Sequence, residues 1–142
     1  MQRALDLASH NVGQTGENPS VGCVIVKDGV VVGEGATVAG GRPHAEEIAL
    51  AQAGEASRGG AVYVTVEPCA RRSTGTTPCA DLLINAGVSR VVIAASDPHP
   101  FASGVGVERL RAAGVQVELG LMEAEARAQN AAFFAKWGAG RP

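Results

Sequence analysis

Three residues with metal-binding side chains stand out in this sequence of 142 residues. His44 offers an imidazole nitrogen, and Cys69 and Cys79 offer two thiolates. Imidazole and thiolate are ligands that tetrahedral zinc prefers, and three protein ligands leave one coordination position open to water. Water bound there can ionise near neutral pH and become a nucleophile. The three residues therefore predict a catalytic zinc site.

Glu46 follows His44 by two residues and supplies a carboxyl group that is not needed as a ligand. When hydroxide attacks an amidine-like carbon, a carboxyl group has to move a proton to the ring nitrogen and then to the departing amine. We assign this role to Glu46. A His-x-Glu sequence followed by Pro-Cys and a further cysteine is the pattern of zinc-dependent deaminases, so the sequence predicts hydrolytic deamination.

His44 and Glu46 can face the same metal only near the end of a helix, because residues two apart in a helix point in roughly opposite directions. Pro43 breaks the chain before them, and the apolar run at residues 48–51 follows them. These neighbours predict that both residues lie in the first turn of a helix.

A second helix is predicted to begin beside Cys79. Thr77 can cap this helix, Pro78 suits its first position, and Cys79 follows within the first turn. The positive ends of two helices would then stabilise a thiolate and a hydroxide at the metal.

The composition indicates one compact enzyme domain over residues 1–142. Apolar residues make up 46% of the chain, which is enough for a full core without help from a metal. The formal charge of -2 and the aromatic content of 4% argue against a surface dedicated to nucleic acid. Three cysteines cannot all pair, and no apolar run has membrane-spanning length or the form of a signal peptide. We therefore expect a cytoplasmic protein that binds a small molecule and no membrane.

Alternating strands and helices predict an α/β fold. Asp28-Gly29 separates two apolar segments and predicts an antiparallel hairpin, in which we interpret Gly33 and Gly35 as strand-end glycines. The predicted strands are 21–27, 30–34, 61–66, 90–94 and 116–119, and the predicted helices are 2–12, one beginning near residue 44, 79–86, 106–113 and 121–134. This order predicts a three-layer α/β/α sandwich around a mixed sheet of about five strands.

Several segments besides the zinc ligands resemble one known family nearly from end to end. They are Asn18-Pro19-Ser20-Val21-Gly22, Gly41-Arg42-Pro43-His44-Ala45-Glu46, Tyr63-Val64-Thr65-Val66-Glu67-Pro68-Cys69, Pro78-Cys79, Asp97-Pro98-His99-Pro100 and Gly104-Val105-Gly106. The chain is similar to the deaminase domain of the riboflavin-biosynthesis deaminase/reductases, in the cytidine deaminase-like superfamily. The resemblance implies a zinc cofactor and the removal of an amino group from diaminohydroxyphosphoribosylaminopyrimidine, with release of ammonia. It also implies a homo-oligomer, a dimer or a tetramer, and we expect residues 1–142 to contain no reductase domain.

The resemblance implies substrate contacts as well. Asn18 matches the family position that contacts the base near the metal, and Asp97 keeps its family position. Between the cysteines the loop departs from the family pattern, because the family's histidine falls at Arg71. Arg71 or Arg72 is therefore our candidate for binding a phosphate through two guanidinium N–H groups at once, and a solvated loop arginine is the alternative. His99 is interpreted as a loop residue rather than a fourth ligand.

Other interpretations stay open. A deaminase of another base, a nucleoside or an adenosine in transfer RNA would use the same metal ligands, and the altered loop leaves this alternative open. A catalytically silent zinc-binding domain is the non-enzymatic alternative, and the free carboxyl group of Glu46 argues against it. For Thr65 and Glu67, at the strand end before Cys69, substrate contact competes with packing and loop capping.

Overall fold

The computed structural model describes residues 1–16, 18–70, 77–99 and 102–138. The strands are β1 (Gly22–Lys27), β2 (Val30–Ala36), β3 (Ala61–Val66), β4 (Arg90–Ala95) and β5 (Gln116–Leu119). The helices are α1 (Gln2–Ser9), α2 (Ala45–Ala53), α3 (Cys79–Asn85), α4 (Val105–Ala112), α5 (Glu123–Gln129) and α6 (Ala131–Gly138), with a short 3-10 turn at Gly54–Ser57.

The five strands form one mixed sheet in the order β2-β1-β3-β4-β5. β1 pairs antiparallel with both β2 and β3, whereas β3, β4 and β5 run parallel. On one face α1 contacts β1 and α5, and α5 contacts β4; on the other, α2 contacts β1 and β2, and the row continues through α3 to α4. The predicted three-layer α/β/α sandwich is confirmed.

The two central parallel strands supply the middle of the core. Val62 and Val64 of β3 and Val91 and Ile93 of β4 are completely buried. Burial of a side chain of this size contributes about 1.5–3 kcal/mol. The strand ends that carry polar residues therefore extend from a firmly packed centre.

The β1–β2 hairpin turns at Asp28 and Gly29, as predicted. Their φ angles are 52° and 78°, and two residues with positive φ form the kind of turn whose twist matches paired antiparallel strands. β2 extends two residues beyond the predicted end at Glu34.

Gly33 and Gly35 lie inside β2, so their interpretation as strand-end glycines is wrong. A Cβ atom on Gly33 would lie 2.3 Å from the carbonyl oxygen of Ala49, and one on Gly35 would lie 2.4 Å from that of Ala45. The two glycines therefore let α2 lie directly on β2.

The single helix predicted over 121–134 is interrupted at Asn130. Asn130 has φ -115° and ψ 46°, which ends α5, and α6 begins at the next residue. Its side-chain amide donates to the carbonyl oxygen of Ser20 at 2.8 Å and accepts from the N–H of Ser20 at 2.9 Å. The pair of hydrogen bonds holds the junction against the segment before β1.

The first helix is also shorter than predicted, because α1 ends at Ser9 and residues 10–13 form turns. The bounds of the other predicted elements agree with the structure to within two residues. None of the helices in the described part of the chain is long and apolar enough to cross a lipid bilayer.

Candidate metal centre and active site

The three predicted ligands come together where α2 and α3 begin and β3 ends. His44 immediately precedes α2, Cys69 lies shortly after β3, and Cys79 is the first residue of α3. The Nδ1 atom of His44 lies 3.5 Å from the sulfur of Cys79 and 4.0 Å from that of Cys69. The three potential ligand atoms all lie within 4.8 Å of one another.

This set of atoms fits a zinc ion. Ligand atoms at about 2.0–2.3 Å from a tetrahedral metal lie about 3.5–3.8 Å apart, close to the two nitrogen–sulfur distances of 3.5 and 4.0 Å here. Two sulfurs and an imidazole nitrogen suit zinc better than the harder magnesium or calcium ions. His44, Cys69 and Cys79 would hold the ion, and three protein ligands leave a fourth position for water or substrate.

Cys69 is held in place by the first turn of α3. The N–H of Cys79 donates to the Cys69 sulfur at 3.2 Å, and the N–H of Ala80 donates to the Cys69 carbonyl oxygen at 3.0 Å. Cys69 thereby satisfies two N–H groups that a helix start leaves without partners. Pro78 rather than Thr77 immediately precedes the helix and makes no side-chain hydrogen bond to it, so the predicted cap at Thr77 is wrong.

The two cysteines differ in their acidity without a metal. The Cys79 thiol donates to the Cys69 sulfur, which lowers the pKa of Cys69 to about 4. The same hydrogen bond, together with burial, raises the pKa of Cys79. The pair therefore favours the thiolate on Cys69, and thiolate is the form that binds metal.

Glu47 fixes the start of α2. Its carboxylate accepts the backbone N–H of His44 at 2.6 Å. A glutamate at the third position of a helix that accepts from the residue before the helix is half of a capping box. It holds His44 in an extended backbone conformation, with φ -77° and ψ 159°.

Glu46 lies in the first turn of α2, and its side chain is only 4% exposed. Burial raises the pKa of Glu46 to about 7, and the negative charge of Cys69 adds to the rise. A carboxyl group that titrates near neutrality can both accept and release a proton under physiological conditions. Its burial and its place beside the ligands are what a proton carrier requires.

Glu67, the residue after β3, is 5% exposed and makes contacts of a different kind. Its Oε1 atom accepts the N–H groups of Asp97 at 3.1 Å and Gly104 at 3.0 Å, and its Oε2 atom accepts the N–H of Val107 at 3.0 Å. The carboxylate therefore caps the chain between β4 and α4, which favours the loop-capping interpretation. Sequence reasoning could not identify these partners, because they lie 30 to 40 residues away.

The predicted substrate residues lie on two loops. The Asn18 amide donates to the Gly41 carbonyl oxygen at 3.1 Å, which joins the loop before β1 to the loop before His44. Asp97 follows β4 and is partly buried; burial raises its pKa, and its Oδ1 atom accepts the N–H of His99 at 2.9 Å.

The remaining predicted residues have different outcomes. Arg71 and Arg72 lie outside the described residues, so their proposed phosphate contact stays a prediction. Among the described residues, the group able to hold a metal is His44, Cys69 and Cys79, without His99.

A family model describes this arrangement. Residues 1–95 match the cytidine and deoxycytidylate deaminase zinc-binding region. The match covers α1 to β4 and so includes all three candidate ligands and Glu46.

Comparison with individual proteins points to one branch of this family. The riboflavin biosynthesis protein RibD of Aquifex aeolicus is 50% identical over 134 residues, which are 94% of this chain and 37% of that protein. The diaminohydroxyphosphoribosylaminopyrimidine deaminase of Buchnera aphidicola is 44% identical over 142 residues, which are 100% of this chain and 96% of that protein. The chain thus spans little more than a third of the length of the first relative and nearly the whole of the second.

A solved structure shows the same fold. RibD of Acinetobacter baumannii superposes with a TM-score of 0.94 and 46% identity over 99% of this chain and 40% of that one. The ligand arrangement, the family match and this similarity agree. The chain belongs to the zinc-binding cytidine and deoxycytidylate deaminase family, in the branch of the diaminohydroxyphosphoribosylaminopyrimidine deaminases.

Proposed function

We propose that this chain is a zinc-dependent deaminase that hydrolyses an amino group from diaminohydroxyphosphoribosylaminopyrimidine in riboflavin biosynthesis. The observation that carries the proposal is the convergence of His44, Cys69 and Cys79 beside the buried carboxyl group of Glu46. The substrate is supported by the Buchnera aphidicola deaminase of that name, which this chain matches over 96% of its length.

The reaction divides between the metal and the chain. Bound zinc supplies an activated water for attack on the ring carbon that carries the amino group. Glu46 would take a proton from the attacking water and pass it to the ring nitrogen. It would then take the proton of the hydroxyl group newly formed on the ring carbon and pass it to the departing amine, which leaves as ammonia. Because its side chain is almost completely buried, bulk water competes little for these protons.

Asn18 and Asp97 orient the ring in this proposal. The Asn18 amide nitrogen donates to the Gly41 carbonyl oxygen. The amide oxygen of Asn18 is then the atom that accepts a hydrogen bond from a substituent of the ring. Asp97 offers a carboxylate for an amino or ring N–H group of the pyrimidine. Arg71 or Arg72 binds the phosphate, as the sequence predicts.

A direct comparison of substrates tests the proposal. The zinc-loaded protein is incubated with diaminohydroxyphosphoribosylaminopyrimidine, its dephosphorylated form, cytidine, deoxycytidylate and transfer RNA, and ammonia release is measured. We expect turnover of the riboflavin precursor and a higher Michaelis constant for its dephosphorylated form. Faster release from another compound would replace the proposed substrate, and release from none of them would favour a catalytically silent zinc-binding domain.

Arg71→Ala separates the phosphate contact from general damage. We expect its Michaelis constant to rise for the phosphorylated substrate only. An equal loss with both forms of the substrate would contradict a phosphate contact.

The setting of the enzyme completes the proposal. We infer that residues 1–142 act as one deaminase domain in the cytoplasm, as a homo-oligomer and without nucleic acid as a substrate. Light scattering of the purified chain measures the oligomeric state, and a monomer at all concentrations would contradict this part.

A further inference from the structure

We propose that Glu67 is a positioning residue for the deamination: its carboxylate sets the place of the Asp97 side chain relative to the metal ligand Cys69. The inference rests on the proposed function, because the place of Asp97 matters only if a substrate binds against it. Glu67 itself does not have to touch the substrate.

The geometry begins where the sheet ends. Pairing between β3 and β4 ends at Val66 and Ala95, and one more backbone hydrogen bond of 2.9 Å follows from Glu67 to Ala95. Beyond Ala95, the chain that follows β4 is held to the end of β3 by the Glu67 carboxylate, which accepts the N–H of Asp97. Glu67 stands two residues before Cys69, so one short segment carries both the anchor and the ligand.

Both ends of Asp97 are fixed as a result. Its backbone N–H is bound by Glu67, and its Oδ1 atom accepts the N–H of His99 at 2.9 Å. The carboxylate of Asp97 therefore cannot reorient freely unless one of these contacts breaks. Movement of the Glu67 side chain would be passed directly to Asp97.

The start of α4 leaves no room for adjustment. A Cβ atom on Gly106 would lie 2.1 Å from the carbonyl oxygen of Pro68 and 3.3 Å from the Oε2 atom of Glu67. The first turn of α4 therefore rests directly on the segment that leads to Cys69. Because the backbone of Gly106 lies directly against the carbonyl oxygen of Pro68, the distance between the start of α4 and the segment that carries Cys69 is fixed.

The chemistry of the contact requires a carboxylate. Three N–H groups point at Glu67, and a carboxylate offers only acceptors. A glutamine of the same size would turn an NH₂ group toward at least one of these N–H groups, so that a donor would face a donor. Glu67→Gln should therefore shift the segment without leaving a cavity.

A double-mutant cycle tests the inference. Wild type, Glu67→Gln, Asp97→Ala and the double variant are compared as zinc-loaded proteins for kcat, KM, zinc content and melting temperature. We expect Glu67→Gln to raise KM about tenfold, the factor for one lost hydrogen bond to a charged group, with a smaller change in kcat and full zinc content. In the Asp97→Ala background the same substitution should leave KM unchanged, because Glu67 acts through Asp97.

Two results would overturn the inference. One is a KM for Glu67→Gln equal to that of wild type; the other is the same rise of KM in both backgrounds, which a merely structural role predicts. Turnover by the wild type in the same assay secures the proposed function, so that either result concerns Glu67 alone.

Further variants cover folding and general effects. If Glu67→Gln does not fold, Glu67→Asp keeps the charge on a side chain one methylene shorter, and a KM equal to wild type in that variant would overturn the inference. Glu34→Gln removes a carboxylate from β2 that binds Arg3 at the surface, and it should leave KM unchanged.

Discussion

Two glutamates with almost the same burial behave in opposite ways. Glu46, at the start of α2, is 4% exposed, and burial raises its pKa to about 7. Glu67, at the end of β3, is 5% exposed, and three backbone N–H groups surround its carboxylate. At Glu46 burial outweighs the backbone hydrogen bond that the carboxylate accepts, so the pKa rises, whereas at Glu67 three backbone N–H groups hold the carboxylate as an anchor. The surroundings of a buried charge, rather than its depth, decide its role.

Removal of a ligand has the largest expected effect on this comparison, because Glu46 has no proton to move without the metal. Cys79→Ser should lose most of the bound zinc and with it the deaminase activity, since the thiolate is a stronger zinc ligand than a hydroxyl group. Zinc content by atomic absorption and ammonia release measure the two losses.

Cys23→Ser is the matched control, because Cys23 is a completely buried cysteine of β1 that lies outside the ligand set. It should keep its zinc even though it loses core packing. Equal zinc content in Cys79→Ser and wild type would contradict the ligand assignment.

Glu46→Gln has the next largest effect. The amide cannot carry a proton, so kcat should fall about 10²–10⁴-fold, while zinc content and fold are kept. Glu67→Gln should lower kcat far less. If Glu46→Gln kept its turnover, Glu46 would not be the proton carrier, and the catalytic contrast with Glu67 would be wrong.

Stability should show the reverse order. Glu67→Ala leaves one buried and two partly buried N–H groups without their acceptor. A buried N–H group without a partner costs about 1–3 kcal/mol, so we expect a loss of at least about 1–3 kcal/mol in the free energy of unfolding. Glu46→Gln should change the free energy of unfolding by less than about 1 kcal/mol, because it replaces a poorly solvated carboxyl group by a neutral side chain of the same size. Urea unfolding of the zinc-loaded proteins decides the order, and equal losses would show that both glutamates are anchors.

The smallest effect is expected for Glu34, whose carboxylate is partly exposed at the surface. Its ion pair with Arg3 spans 2.5 Å at the surface, where solvent screens the charges. Glu34→Gln should therefore leave the urea midpoint unchanged within error, which sets the baseline for the other two glutamates. A clear loss would show that carboxylates of this protein matter regardless of burial.

Local chemistry explains what the sequence could predict. The hairpin at Asp28-Gly29 and the helix start after His44 follow from neighbouring residues, and the candidate ligand set follows from the residue types of His44, Cys69 and Cys79 and their order along the chain. The break at Asn130 could not be predicted, because its cause is a pair of hydrogen bonds to Ser20, 110 residues away. The cap of α3 was misassigned to Thr77, because the group that accepts the first N–H of the helix is the sulfur of Cys69, 10 residues earlier in the chain.

The glycines of β2 show a limit of another kind. Gly33 and Gly35 were visible in the sequence, but their spacing of two became meaningful only once α2 was seen to lie on that face of the strand. Glycines that alternate within an apolar segment are a usable sign of a closely packed helix. For Glu67 the sequence offered loop capping as one interpretation, but it could not identify the three N–H groups that the carboxylate accepts.

The two hydrogen bonds between the Asn130 side chain and the Ser20 backbone, here called the Asn130–Ser20 clamp, determine where this protein can be shortened. Expression of the segment that the family model matches, residues 1–95, would remove the clamp and expose the buried flank of β4 along its whole length. Such a fragment would keep every candidate ligand and still be prone to aggregate through an open strand. A minimal version that can be handled in solution has to extend at least through Phe134, whose buried ring is the last side chain of the described core.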